Sequence, residues 1–389
     1  YKDYTPEAYR QGAKRFVEEY RTMPQLFITL GNEPHATPET AKEYVDAYKE
    51  VYLGVKEADS NIMGIGTSEG PQEPLFAAGF GDYLDAYDFH TYSSYTQIRG
   101  AFAKYKELFK KYGREKPILS TELGLNCEGL TRDVVAMDLI KKLTIFFACG
   151  GANASWFGIV YPDPKGKSLG SMGESFNVFY CRYSLYHPKL EAVAYYNMVN
   201  GICIKKFLQE RKYEDGVEAY LFRDRDNRCL QVLWNDKGHA AAFVPLESVG
   251  KVRVLRFDGS YRDLDAVGKG VTLNVSTEPL MLMYDQKEGK LPDTMGKPAI
   301  AVQAFDLKVR PGGTVTLPVK GEKLSPEDIK IEAPVSWTVS QPKAASDSFE
   351  YTVQSPAVTT GREGRLRILL KKTDKPQGEI MVRAVVETK

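Results

Sequence analysis

The sequence lacks the features that would announce a charged partner or a metal. Its 52 Lys and Arg are balanced by 51 Asp and Glu, a formal net charge of +1. A nucleic-acid or anionic-membrane partner calls for a basic patch or stripe, and the chain has no such excess. Cysteine is scarce, at 5 in 389 residues, and Cys127, Cys149, Cys181, Cys203 and Cys229 show no CxxC spacing. That excludes a zinc or haem-attachment pattern and argues against a disulfide framework. Most of these thiols sit among apolar neighbours, as buried cysteines do. The 4 histidines, His35, His90, His187 and His239, are far apart, so no metal motif is visible. No apolar run is long enough to span a bilayer. No turn carries GxGxxG, which a doubly wound nucleotide-binding sheet would place after its first strand. No initiator Met or signal peptide precedes Tyr1. The chain therefore reads as cut from something longer, and the missing signal says nothing about export.

What is present is ordinary for a globular protein: 43% hydrophobic and 26% charged residues. The length suggests two or three domains. Residues 1–204 alternate helices and short apolar strands. Thr5-Pro6-Glu7 and Thr37-Pro38-Glu39 are helix starts, each a cap followed by Pro in the first turn. Strands are expected over 26–30, 61–66, 85–90, 116–122 and 152–157, and helices over 97–112, 131–148 and from Pro188 to about Asn200. Short apolar strands, each followed by a helix, are the signature of parallel βα units. Five strands are fewer than the eight of a closed (β/α)8 barrel. The expectation is a partial barrel, strands four to eight, with the preceding units lying before Tyr1.

The pattern changes after about residue 204. Leu230, Val232 and Trp234, and then Val271, Leu273 and Val275, alternate as in an all-β sandwich over 205–288. A polar stretch from about Gln286 to Pro298 reads as a linker. Residues 289–389 are the size of one immunoglobulin-like β domain. Trp234 and Trp337 each lie in an alternating strand pattern and read as core.

Two carboxylates end two of the barrel strands: Glu33 in Leu30-Gly31-Asn32-Glu33-Pro34, and Glu122 in Leu119-Ser120-Thr121-Glu122-Leu123-Gly124. Active sites of βα barrels lie at these strand ends. Glu122 continues an apolar strand directly into a charge, which needs a partner if buried. Such a pair is what glycosidic bond cleavage requires, one acid for the leaving oxygen and one carboxylate to attack or activate water. A Glu after a strand also commonly caps a helix or faces solvent, but Glu33 lies too far ahead of Thr37 to cap that helix.

With His90-Thr91-Tyr92 and Ser155-Trp156 also at strand ends, the chain resembles clan A of the glycoside hydrolases over residues 24–204. The resemblance implies a retaining enzyme on a (β/α)8 barrel, with Glu33 as general acid/base and Glu122 as nucleophile. It further implies that Asn32 binds the sugar 2-hydroxyl, Tyr92 contacts Glu122, His90 lines the pocket and Trp156 stacks on a sugar ring. His35 is a weaker pocket residue. In that mechanism Glu33 must start protonated, held so by burial and by the charge on Glu122. No metal or cofactor is required. The loop Tyr161–Gly173 after the last strand is expected to be a lid or a surface loop.

The expected function is retaining hydrolysis of a poly- or oligosaccharide by a secreted, periplasmic or cell-surface protein, with no nucleic-acid partner and no transmembrane segment. A transglycosidase would use the same glutamates. A non-catalytic carbohydrate-binding or adhesive protein is the rival of another class, and its mark would be Glu33 and Glu122 turned apart.

Overall fold

The computed structural model describes residues 4–68, 70–158, 176–180, 187–266, 269–321, 323–345, 347–357, 363–371 and 376–387. It divides into two compact units, Tyr1–Met198 and Val199–Lys389.

The first unit runs α1 (Pro6–Tyr20), β1 (Phe27–Ile28), α2 (Pro38–Ala58), β2 (Met63–Ser68), α3 (Glu73–Ala77), β3 (Ala86–Phe89), α4 (Ile98–Tyr112), β4 (Ile118–Leu123), α5 (Arg132–Ala148), β5 (Asn153–Trp156), β6 (Phe179–Tyr180) and β7 (His187–Pro188). The helix α6 (Leu190–Ile202) passes from this unit into the next. Strands β1 to β5 form one sheet in sequential order, and every pairing is parallel. This is a parallel half-barrel sheet, as the βα alternation predicts.

Its helices start where the sequence places them. The Thr5 hydroxyl accepts from Ala8 N at 3.2 Å, and Pro6 occupies the first turn of α1. Thr37 and Thr40 close a reciprocal capping box at the start of α2. Helix α4 stops at Gly113, whose φ of +73° glycine adopts without cost. Val17 of α1, Val51 and Val55 of α2 and Ile28 of β1 are buried together. Each such side chain contributes roughly 1.5–3 kcal/mol relative to exposure. Helix α3 and a 3-10 turn over Phe80–Tyr83 lie between β2 and β3, where the sequence gives no strong periodicity.

Beyond the end of α6 and a 3-10 turn over Pro326–Asp328, the second unit is built of β-strands. Its strands are β8 (Lys206–Lys212), β9 (Glu218–Arg223), β10 (Arg228–Trp234), β11 (Ala240–Pro245), β12 (Lys251–Arg256), β13 (Tyr261–Asp265), β14 (Gly270–Val275) and β15 (Leu280–Asp285). There follow β16 (Ala301–Val302), β17 (Asp306–Val309), β18 (Thr314–Lys320), β19 (Ile329–Glu332), β20 (Thr338–Val339), β21 (Lys343–Ala344), β22 (Ser348–Gln354), β23 (Glu363–Leu370) and β24 (Gly378–Val386). One sheet has the order β13-β12-β15-β10-β9-β8; a second runs β11-β14-β24-β23-β19, with β17 also on β24; a third runs β16-β18-β22-β20, with β21 on β22. Leu233, Val254, Leu273 and Leu282 belong to one core of this unit, and Leu317, Val353, Ile368 and Val382 to another. Trp234 and Trp337 are both buried, Trp234 at the end of β10 as its strand pattern predicts, and Trp337 just ahead of β20 rather than within a strand. Among the described cysteines, Cys127 and Cys229 are buried thiols, whereas Cys203 is exposed. No helix among the described residues is long and apolar enough to cross a membrane.

Candidate active site

The site lies at the C-terminal ends of β1, β3 and β4. Past β1 the chain turns through two left-handed residues, Gly31 at φ +71° and Glu33 at φ +47°. Glycine takes this conformation readily, whereas for glutamate it is uncommon. It is held by what the Glu33 side chain reaches: Oε1 stands 2.9 Å from His90 Nδ1.

His90 follows β3 directly. Asp88, His90 and Tyr92 alternate along the chain, so their side chains share one face. Asp88 and His90 are buried, at 1% and 3% exposure. Tyr92 donates its hydroxyl to Glu122 Oε2. His90 Nδ1 lies 3.6 Å from the same Glu122 oxygen. One imidazole nitrogen therefore faces both glutamates. The facing oxygens and this nitrogen all lie within 4.8 Å of one another.

Strand β4 supplies two consecutive residues to the cluster. Thr121 Oγ1 is 3.0 Å from His90 Nε2, while Glu122 faces Nδ1 and Tyr92. Strict alternation would send neighbours to opposite faces. The pairing of β4 with β5 shifts register between Ser120 and Leu123, and this bulge re-aims the side chains.

The hydrogen bonds fix the tautomer of His90. Thr121 donates its amide at 2.8 Å and its hydroxyl at 2.7 Å to Asp88. Its hydroxyl hydrogen is thus committed, and Thr121 Oγ1 accepts from His90 Nε2. Nε2 carries a proton in either charge state of the ring, and Nδ1 alone gains or loses one. Burial opposes charge on the ring. The hydrogen bond and charge of Asp88, the hydrogen bond to Glu33 and the charge of Glu122 outweigh it, and the His90 pKa lies above its ordinary 6.5. Burial first, and then the bond to Glu122, push the Tyr92 pKa well up, so Tyr92 remains a neutral donor.

No family model and no curated protein sequence matches this chain. Solved structures do. The chain aligns with a family 39 glycoside hydrolase from the gut symbiont Bacteroides cellulosilyticus WH2 at a TM-score of 0.59 and 18% identity. That alignment covers 72% of this chain and 63% of the other, so the chain spans less than two thirds of that enzyme's length. A glucosidase from Croceicoccus marinus aligns at a TM-score of 0.50 and 12% identity, over 73% of this chain and 75% of that one. The fold is shared with glycoside hydrolases.

Of the residues singled out in the sequence, the structure joins Glu33, His90, Tyr92 and Glu122 in one network. Asn32 and His35 flank Glu33, are exposed, and make no hydrogen bond to that network among the described residues. Trp156 ends β5 with only 4% exposure, and the Lys142 amine lies 5.3 Å from its ring centre. The loop Tyr161–Gly173 lies outside the described residues. Sequence reasoning missed Asp88, Thr121 and Lys142. The first two carry a readable signal, since polar residues continue the alternation of an apolar strand end. Lys142 carries none, because a lysine in an otherwise apolar helix usually marks its solvent face. Here it is fully buried, 3.1 Å from Asp138, and donates to the Gly124 carbonyl.

The same three groups, Glu33, His90 and Glu122, are the only His, Cys or acidic cluster among the described residues with metal-ligating spacing. The chemistry available to the site is thus proton transfer and nucleophilic attack by paired carboxylates, or capture of a cation.

Proposed function

We propose that the chain is part of a retaining glycoside hydrolase, with Glu122 as nucleophile and Glu33 as acid/base. The observation that carries this reading is the approach of the two glutamates around His90, their facing oxygens within 4.8 Å. Retaining enzymes hold their carboxyl groups about 5–5.5 Å apart, whereas inverting ones need roughly 6.5–9.5 Å to admit water. The glutamates are turned toward one another, which disfavours a purely sugar-binding protein. Strands β1 to β5 would be strands four to eight of the barrel, completed by βα units from outside this chain.

In the first step Glu33 gives its proton to the leaving oxygen while a Glu122 oxygen bonds to the anomeric carbon. In the second Glu33 takes a proton from water, which attacks that carbon and releases Glu122. His90 Nδ1, 2.9 Å from Glu33 Oε1, holds that side chain beside Glu122. Tyr92 aims Glu122 and withdraws part of its charge as it leaves. Near-neutral composition suits an uncharged sugar substrate. A transglycosidase would differ only in excluding water from the second step.

The test is mass spectrometry after exposure of the protein, in its full-length form, to a panel of activated fluoro-sugars. The expected result is a covalent adduct on Glu122 that Glu122→Gln abolishes. An adduct on another residue, or none from any sugar on folded protein, would refute the assignment. The sugar that labels identifies the substrate class.

A further inference from the structure

We propose that Glu33, His90 and Glu122 form a binding site for a borderline divalent cation, zinc foremost, and that its occupancy blocks the carboxylate pair. Such an ion would be an inhibitor at this site and no part of its chemistry. Zinc takes imidazole nitrogen and carboxylate oxygen at about 2.0–2.2 Å, with tetrahedral ligands about 3.3 Å apart. The His90 nitrogen stands 2.9 Å from its Glu33 neighbour and 3.6 Å from its Glu122 neighbour, values that bracket this edge. Small rotations of two glutamate side chains would complete three ligands.

The nitrogen is presented correctly. Asp88 and Thr121 engage Nε2, so Nδ1, the nitrogen that faces both carboxylates, is the one an ion would bind, displacing any proton held there. A metal-bound histidine is typically oriented this way, by an outer carboxylate or its relay on the other ring nitrogen. His90 is fixed by burial, while the side chains of Glu33 and Glu122 keep 27% and 24% exposure. An ion can therefore enter, and its fourth position remains open to water.

The binding claim rests on this geometry alone; the claim that zinc stops turnover rests on the glycosidase reading. Calorimetric titration of zinc chloride into the full chain, in a non-chelating buffer, separates them. One ion per chain is expected. His90→Ala and Glu122→Gln should each weaken binding at least tenfold, and Asp88→Asn, which leaves all three ligands in place, about 10- to 100-fold. Circular dichroism identifies any variant that does not fold. Labelling of Glu122 by a fluoro-sugar should abolish zinc binding, and zinc should slow that labelling. Zinc binding without labelling by any sugar would uphold the metal site while the glycosidase reading fell. Absence of binding at millimolar zinc, or binding unchanged in all three variants, would overturn the proposal.

Discussion

At the scale of the residue, two hydrogen bonds shape the candidate site. Tyr92→Phe removes the donor to Glu122 and leaves the ring. A hydrogen bond to a charged group is worth about 1.5–3 kcal/mol, so the rate of Glu122 labelling should fall about 10- to 100-fold. The melting temperature should change little, since the phenyl packing against Phe157 and Phe176 remains. His90 gives a pH signature. Its pKa is raised in the folded state, so it binds its proton more tightly folded than unfolded. The stability it contributes is full below the ordinary 6.5 and is lost as pH rises through the folded pKa. The stability gap between wild type and His90→Gln, followed by urea denaturation across pH, should therefore be larger in acid and shrink above neutrality. A gap that widened with pH would contradict the arrangement of Asp88, Glu33 and Glu122 around the ring.

At the scale of the element, helix α5 braces the strand ends. Asp138 accepts from the Tyr95 amide at 2.8 Å, beyond β3, and pairs with Lys142. Lys142 in turn donates to Gly124, beyond β4, and lies under Trp156 of β5. Burial drives the Lys142 pKa down, against the pull of Asp138. Replacing Lys142 by Met would leave Asp138 buried without its ion-pair partner. Breaking such a pair costs about 3–5 kcal/mol, so the urea midpoint should fall sharply, and Asp138→Asn in the same chain should recover part of the loss. Gly124 shows the same coupling by contact. A Cβ there would stand 2.7 Å from the Tyr92 ring and 3.2 Å from the Phe157 carbonyl oxygen. Gly124→Ala should displace Tyr92 and slow Glu122 labelling, as Tyr92→Phe does, while the glutamates themselves are untouched.

At the scale of the whole molecule, the β unit is joined across the polar stretch that reads as a linker in sequence. Strand β14 pairs in parallel with β24, Leu273 opposite Glu379. Glu379 is buried and gathers guanidinium groups: Arg256 at 2.8 Å, Arg262 at 3.3 Å and Arg367 at 3.9 Å. Arg256 is itself only 5% exposed in its side chain. Glu379→Gln would leave that guanidinium buried without its countercharge, at a cost of about 3–5 kcal/mol. A urea midpoint unchanged by this substitution would show that the cluster adds nothing to the unit.

The sequence by itself determined the local structure and much of the site. Thr-Pro caps, short apolar strands and alternating β segments are read within a few residues of chain, and the structure has them where those signals lie. The pairing of Glu33 with Glu122 was legible because both end strands of a parallel sheet, where topology gathers side chains. Tertiary structure alone decided the rest. The β4 bulge that turns both Thr121 and Glu122 inward depends on its register with β5. The left-handed turn at Glu33 is held by a histidine 57 residues away. Lys142 is buried because a carbonyl and an indole from other elements surround it. The β14–β24 pair is likewise non-local. Local propensity is written in neighbours along the chain; register, burial of a charge and the choice of a hydrogen-bond partner are set by neighbours in space.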